Sequence, residues 1–509
     1  MDNNKEHSEK GKAKMKDRTI LESMELCGQC HLAWLDPEKE YMPFGGWEAA
    51  HDTGRWWDAM LRLEDASGFK IPEFAETAML KNIQLMTDNP VGILLNPPGR
   101  PWLKTKFNGH NFRETILALT ALVQFRNNDW AKKKALQLIQ SVEEFLPDDT
   151  RLDILGIAQK ANLPLGSDPN ILPSDSPWFN NTGSTGRALE GFVWFYEITG
   201  EASALRLAER LAKLNLRTMV NADGSPREEM FSVKNNGHNH SYLGTLRGLV
   251  RYGRLTGKTE YIKAVEATYR HTLWKNNATY SGYTPHDLGY PRFNNKFGEP
   301  LGEHGSCSDM MQLALWLSEE KGNSDMLDDL ERLIRARVLP AQVIDHDNPK
   351  RNGAWGVYDY PYDFGVTPDV YSAVLHSLAD VYKNIAKKDG DIVTIQLNFD
   401  IDTPFVNVKT KTGDVREITV TPKIDCGLRI RIPCWAPRES VVSSSGKLTW
   451  DGDYLIFPKG KEPVTVKYKP PTYQTEEIMK GSGRKFILQW RGDEVVSCSP
   501  AAPIYPEKE

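Results

Sequence analysis

The stretch "NNGHNHSYLGTLRGLVRYGRLTGKTEYIKAVEATYRHTLW", residues 235–274, contains the unit from which most of the chain is built. A short polar loop of Asn, Gly and His opens an apolar helix. A turn marked by Gly257 follows, and then a second helix with its charges on one side. The first helix is apolar nearly all round and suits an inner layer; the second is amphipathic and suits an outer one.

The same grammar recurs from about residue 45 to 390. Its other openings are "AAHDTGRWWDAMLRLEDASG" at 49, "FNGHNFRETILALTALVQF" at 107 and "NNTGSTGRALEGFVWFYEITG" at 180. "GEHGSCSDMMQLALWLSEEKG" at 302 and "FGVTPDVYSAVLHSLADVYKN" at 364 complete six, spaced roughly 55–75 residues apart. A period of that length built from helix pairs marks an array. No polar capping repeat is evident at either end, so closure into a ring is favoured over an open stack.

From about residue 391 the texture changes. "DIVTIQLNFD", "FVNVKTKTG", "REITVTPK", "LRIRIPCWA", "DYLIFP", "VTVKYKP" and "KFILQW" are short runs of β-branched alternation broken by turn residues. They predict an antiparallel sandwich. The expected fold is therefore mainly α: an (α/α)6 toroid over 45–390, preceded by an N-terminal segment with a lead-in helix (1–44) and followed by a β-sandwich domain (391–509).

A chain of 509 residues is too long for one ordinary core, in keeping with that division. The net charge of −5 and the absence of a basic stripe exclude nucleic acid as the main partner. No apolar run approaches the ~18 residues a membrane span needs, so no membrane partner is expected. "MDNNKEHSEKGKAKMKDR" has no apolar centre and does not read as a signal peptide. That fits a cytoplasmic protein, or an exported one whose leader has been removed. The numbers leave a homodimer open. Six cysteines are too few for a disulfide framework. "CGQCH", Cys27 to His31, matches a haem-attachment pattern but lies within an apolar-periodic helix, and reads as helix packing.

In a closed array all inner helices point the same way, so the residues just before them gather at one mouth, with the helix N-termini. These loops supply Trp47, His51 and Asp52; Asn108, His110 and Asn111; and Asn180, Asn181 and Thr182. They also supply Asn236, His238, Asn239 and His240; Glu303, His304 and Cys307; and Tyr360, Asp363 and Thr367. "NGHN" occurs twice, at 108–111 and 236–239. Asn and Asp cap helices without any chemistry, but caps do not need histidine. A mouth of His, Asn, Asp, Tyr and Trp hydrogen-bonds many hydroxyls at once, which points to a carbohydrate substrate.

"NHSYLGTLRGLVRYGRLTGKTEYIKAV", "EHGSCSDMMQLALWLSEE" with "LDDLERLIRARVLPAQ", "LRIRIPCWAP" and "FILQWRGDEVVSC" carry a family likeness. In this order and spacing the chain resembles the β-L-arabinofuranosidases of glycoside hydrolase family 127, over roughly residues 235–500. The resemblance implies a toroid followed by a sandwich and a glycosidase activity. It also implies a cysteine nucleophile in a Cys-Cys pair before the sixth inner helix, with zinc held by that pair and a Glu-x-Cys before the fifth. Carried over, Cys307 matches the cysteine of Glu-x-Cys, but Gly305 stands at its glutamate. "DFGVTPD", 363–369, contains no cysteine. A single thiolate does not make a tetrahedral zinc site.

The expected chemistry is therefore glycoside hydrolysis by two carboxyl groups, without metal or cofactor. Glu303 and Asp363 form the first pair, with Asp52 a further candidate. His51, His110, Asn111, Asn181, His238, His240, His304, Tyr360 and Trp47 are expected to bind substrate. Two alternatives stay open. One is a polysaccharide lyase acting on a uronate, with Asn and His neutralising the carboxylate and Tyr242 or a histidine as base. The other is a glycan-binding relative without catalysis.

Overall fold

The computed structural model describes residues 18–44, 48–105, 107–146, 152–163, 186–221, 224–225, 227, 238–288, 301–359, 363–479, 483–501 and 505. Its first helix, α1 (Ile20–Ala33), opens with a capping box in which Thr19 and Glu22 satisfy each other's backbone N–H groups. Then come α2 (Ala49–Ser67), α3 (Glu73–Met86), α4 (Asn111–Arg126), α5 (Asp129–Glu144), the short α6 (Ile154–Lys160), α7 (Leu189–Thr199) and α8 (Ala202–Met219). α9 (Asn239–Thr256), α10 (Thr259–Ala267), α11 (His304–Leu317), α12 (Met326–Leu333) and α13 (Pro368–Lys383) complete the helical part.

Helices α2, α4, α7, α9, α11 and α13 each touch the next, and α13 touches α2, so the ring is closed. Burial separates the layers. Every residue of α2 from Ala49 to Leu63 is buried, whereas α8 buries Ala204, Leu207, Ala208, Leu211 and Ala212 along one face only. The inner helices α7 and α9 stop at Gly200 and Gly257, whose positive φ (both 69°) reverses the chain into the outer partner.

The sixth outer helix is α1, which packs on α13 and α2. Its cysteines serve that packing. Cys27 and Cys30 are fully buried, and their thiols reach the carbonyls of Tyr371 and Lys350. His31 sets its ring edge-on to Tyr371 at 4.5 Å. Burial pushes the Cys30 thiol up to about 12.

Two loops at the mouth are drawn into a small antiparallel sheet of β1 (Leu301–Glu303), β2 (Gly356–Asp359) and β3 (Asp363–Val366). β1 runs straight into α11, and β3 leads through Thr367 into α13. The sheet therefore fixes the approach to the fifth and sixth inner helices.

Two five-stranded sheets follow the toroid. One contains β4 (Ala386–Asp389), β5 (Ile392–Ile395), β9 (Cys426–Arg431), β11 (Trp450–Asp451) and β12 (Tyr454–Gly460). The other contains β6 (Ile401–Asp402), β7 (Val406–Lys411), β8 (Arg416–Pro422), β10 (Val442–Ser443) and β13 (Val464–Tyr468). Both bury alternate residues, as in β8, and share a core with Val393, Ile430, Val408 and Val466. A third sheet holds β14 (Thr472–Ile478), β15 (Lys485–Arg491) and β16 (Glu494–Ser499). Within this β-region one pairing, β5 with β9, is parallel. After β5 the chain builds β6–β8 in the opposite sheet before returning, so β9 enters from the same end.

Candidate active site

The inner helices bring the loop residues together at one end of the ring. The rings of His51 and His110 lie 6.5 Å apart, those of His110 and His238 6.3 Å, and those of His238 and His240 6.0 Å. Asn111 Oδ1 faces His51 Nδ1 at 3.2 Å, because the Asn111 amide nitrogen is engaged by the Leu94 carbonyl. Glu303 joins the group through His238, whose Nε2–H donates to Glu303 Oε2 at 2.9 Å. His51, His110, Asn111, His238, His240 and Glu303 thus form one continuous cluster.

The other expected residues fall differently. His304 is fully buried under the mouth sheet and donates from Nδ1 to the Gly356 carbonyl at 2.8 Å. Asp52 is fully buried in the first turn of α2, where a carboxylate complements the helix N-terminus. The Asp363 backbone starts β3 in register with Asp359 and Leu301, two residues along the sheet from the row of Glu303, Val357 and Gly365. Its side chain, like Trp47, Asn181 and Tyr360, lies outside the described residues.

One turn into the helices lies a layer of charge that sequence reading missed. Glu114 meets Arg187 at 2.9 Å and Arg55 at 3.2 Å. Asp309 accepts from Arg247 at 2.7 Å, and Arg247 also reaches Glu190 at 2.8 Å. These groups are almost wholly buried, and each cation faces an anion. Their signal is an ionic residue inside an otherwise apolar inner helix, as in "TLRGLV" and "SCSDMMQ".

This layer fixes the histidine tautomers, because arginine can only donate. His240 Nε2 faces Arg55 at 2.7 Å and must accept there, so its Nδ1–H donates to Asp309 at 2.5 Å. His110 Nδ1 likewise accepts from Arg187. Burial pushes the His51 imidazole down to about 3, and His110 and His240 well below the usual range, with nearby arginines adding to it. Burial thus favours the uncharged form at these three positions.

Two of the carboxyl groups at the mouth are pushed in opposite directions. Burial alone would raise Glu303, but the hydrogen bond and charge of His238, with His286 and His240, hold it well below the usual carboxylate range. Asp369, in the first turn of α13, is raised by burial and by the charge of Glu303, against the pull of Arg55. The sequence pattern does not single out Asp369, which follows Pro368 at the helix start.

The zinc set implied by the family resemblance does not fit. Cys307 is fully buried, with its thiol pushed up to about 12 by burial. A side chain at Gly305 would start 3.1 Å from Glu303 Oε1 and 3.5 Å from His240 Nδ1. The Glu303 carboxylate already occupies that space. Tyr242, the base considered for a lyase, is fully buried and its phenol is pushed up by burial.

A cavity of about 370 Å³ lies at the other end of the ring, lined by Arg62, Trp194, Arg251, Trp316 and Asp380 from the last turns of inner helices. Its arginines are paired with Asp58, Asp380 and Glu197.

No family model matches the sequence, and no curated protein is significantly similar to it. Solved structures do match. A family 127 β-L-arabinofuranosidase from Geobacillus stearothermophilus T6 is 13% identical, with a TM-score of 0.56 over 93% of this chain and 80% of its own. A second family 127 β-arabinofuranosidase is 12% identical, with a TM-score of 0.56 over 94% and 81%. A structure described as a glycoside hydrolase is 12% identical, with a TM-score of 0.58 over 93% and 80%. The fold is that of these glycoside hydrolases, carried by a widely diverged sequence.

Proposed function

We propose that the protein is a glycoside hydrolase that cleaves an oligo- or polysaccharide at the toroid mouth, with Glu303 and Asp369 as its two reacting carboxyl groups. One arrangement carries this reading: Glu303, hydrogen-bonded by His238, is pushed down, while Asp369, in the first turn of α13, is pushed up by burial. Such divergence separates acid from base in glycoside hydrolysis. Asp369 protonates the leaving oxygen, and Glu303 activates the attacking water. His51, His110, Asn111 and His240 meet the sugar hydroxyls, with Trp47, Asn181 and Tyr360 proposed beside them from their loop positions. Asp363 is the alternative second carboxyl. Asp52 is assigned to the helix start, and His304 to holding the sheet. The shared fold with family 127 glycosidases adds support.

Incubation with a panel of plant and algal glycans tests the proposal, read by new reducing ends and by ultraviolet absorbance. New reducing ends without an absorbing product are expected. An unsaturated uronate product would replace hydrolysis with elimination. Tight oligosaccharide binding without product would make the protein a glycan binder.

A further inference from the structure

We propose that His238, His286 and Glu303 form a binding site for one divalent metal ion of the zinc type. One ligand atom from each residue lies within 4.8 Å of the other two. Around zinc, N and O ligands at ~2.0–2.2 Å stand roughly 3.3–3.5 Å from one another. Closing on an ion therefore takes small side-chain adjustments. The Nε2···Oε2 contact of His238 and Glu303, 2.9 Å, opens by a few tenths of an ångström on the same scale.

The backbone holds the three residues in place before any ion arrives. The His286 carbonyl accepts from Asn239 N–H at 2.8 Å, and His286 N–H donates to the Leu301 carbonyl at 2.7 Å. Glu303 N–H donates to the Thr284 carbonyl at 3.0 Å. Bridges between His238 and Asp287, and between Pro285 and Gly302, complete a short ladder. The ligands thus stand on three neighbouring, mutually bonded segments.

Both histidines are also oriented from behind. His238 Nδ1 is engaged by Ser241 Oγ at 3.1 Å, and His286 Nδ1 by Asp287 Oδ1 at 3.0 Å. On an ion His238 exchanges its Nε2–H tautomer for the Nδ1–H one, so that both histidines present Nε2 with a partner behind, the usual arrangement at metal sites. The side chains are 17%, 16% and 4% exposed for His238, His286 and Glu303, so solvent reaches one side. Two imidazoles and a carboxylate favour zinc and its transition-metal neighbours over calcium or magnesium. Three protein ligands with one open position are the pattern of a site that holds and activates water.

This deepens the proposed function by giving Glu303 its water through an ion; the binding itself does not depend on that reading. The test begins with protein stripped by a chelator and dialysed, then titrated with Zn²⁺ by calorimetry and metal analysis. One equivalent is expected, with a rise in melting temperature. His286→Ala and Glu303→Gln should each weaken binding by about 100-fold or more, on the scale at which even outer partners cost 10- to 100-fold. Circular dichroism establishes that each variant is folded. Co²⁺ in the same site should show visible bands without the near-ultraviolet charge-transfer band of a thiolate ligand.

Binding well below one equivalent, unchanged affinity in both folded variants, or a thiolate band would overturn the proposal. Hydrolysis by metal-free protein that takes up no zinc removes the ion and leaves the glycosidase. Stoichiometric zinc without any hydrolysis does the reverse.

Discussion

Arg431, fully buried in strand β9 of the sandwich, donates from Nη2 to Glu331 on the toroid's outer helix α12. Its Nη1 reaches Asp328 one turn earlier. Arg431 opens the Arg-Ile-Pro-Cys-Trp run that carries part of the family likeness, so that motif fastens the two halves of the molecule. Trp435, at its other end, packs on Gly492, where a Cβ would lie 2.7 Å from the indole. The two C-terminal family stretches therefore meet each other.

Replacing Arg431 by Met leaves Glu331 and Asp328 buried without their cation. A loss of about 3–5 kcal/mol is expected, the usual cost of breaking a buried pair from one side. Urea unfolding measures it. Arg431→Met combined with Glu331→Leu should recover part of the loss, and a double variant no better than the single one would count against the pair.

The carboxyl assignment predicts a pH profile. Activity needs Glu303 ionised and Asp369 protonated, so Glu303 sets the acid limb and Asp369 the alkaline limb. Asp369→Asn should lower kcat by about 10²–10⁴-fold and flatten the alkaline limb. Glu303→Gln should abolish turnover while the protein stays folded. An alkaline limb that survives in Asp369→Asn would move the acid role to Asp363.

Acid stability follows from the buried imidazoles. Burial pushes His31, His51 and His304 each down to about 3. Between pH 3 and 6.5 the unfolded chain therefore binds protons that the folded chain refuses. Stability rises with pH across that window and is fully present above it, at about 1.4 kcal/mol per pH unit for each histidine. Urea midpoints should fall steeply from pH 6.5 to 4.5. In His31→Leu the slope should drop by about one proton.

Cys307 should be inert. Its depth and raised thiol predict no reaction with iodoacetamide in the native protein and full reaction after unfolding. Cys307→Ala should retain the hydrolytic activity. Loss of turnover in a folded Cys307→Ala protein would restore the thiolate mechanism implied by the family resemblance.

The ring was legible because its signal is repetition: six polar loops before six apolar helices leave few other readings. The loop histidines were legible for the same reason, since caps do not call for imidazole. Arg55, Glu114, Arg187 and Asp309 were not, because their meaning lies in pairings 54 to 185 residues apart along the chain that no local pattern encodes. His286 went unread for lying outside the helix openings. Asp369 was hidden as an ordinary helix-start residue, and its perturbation comes from Glu303 in a different loop. Helix α1 read as a lead-in because its partner α13 lies at the far end of the repeat array.

That last arrangement bears on how the molecule is made. Cys27 of α1 reaches Tyr371 of α13 across 344 residues of chain. On the ribosome α1 emerges before the other helices of the ring and waits for α13, the last of them. Until then one flank of α2 has no neighbour and its apolar surface is uncovered, a stage at which chaperones would have something to hold. Joining so distant a pair is slow. A chain rearranged to place α1 directly after α13 would shorten that wait, and should refold faster with the same finished ring.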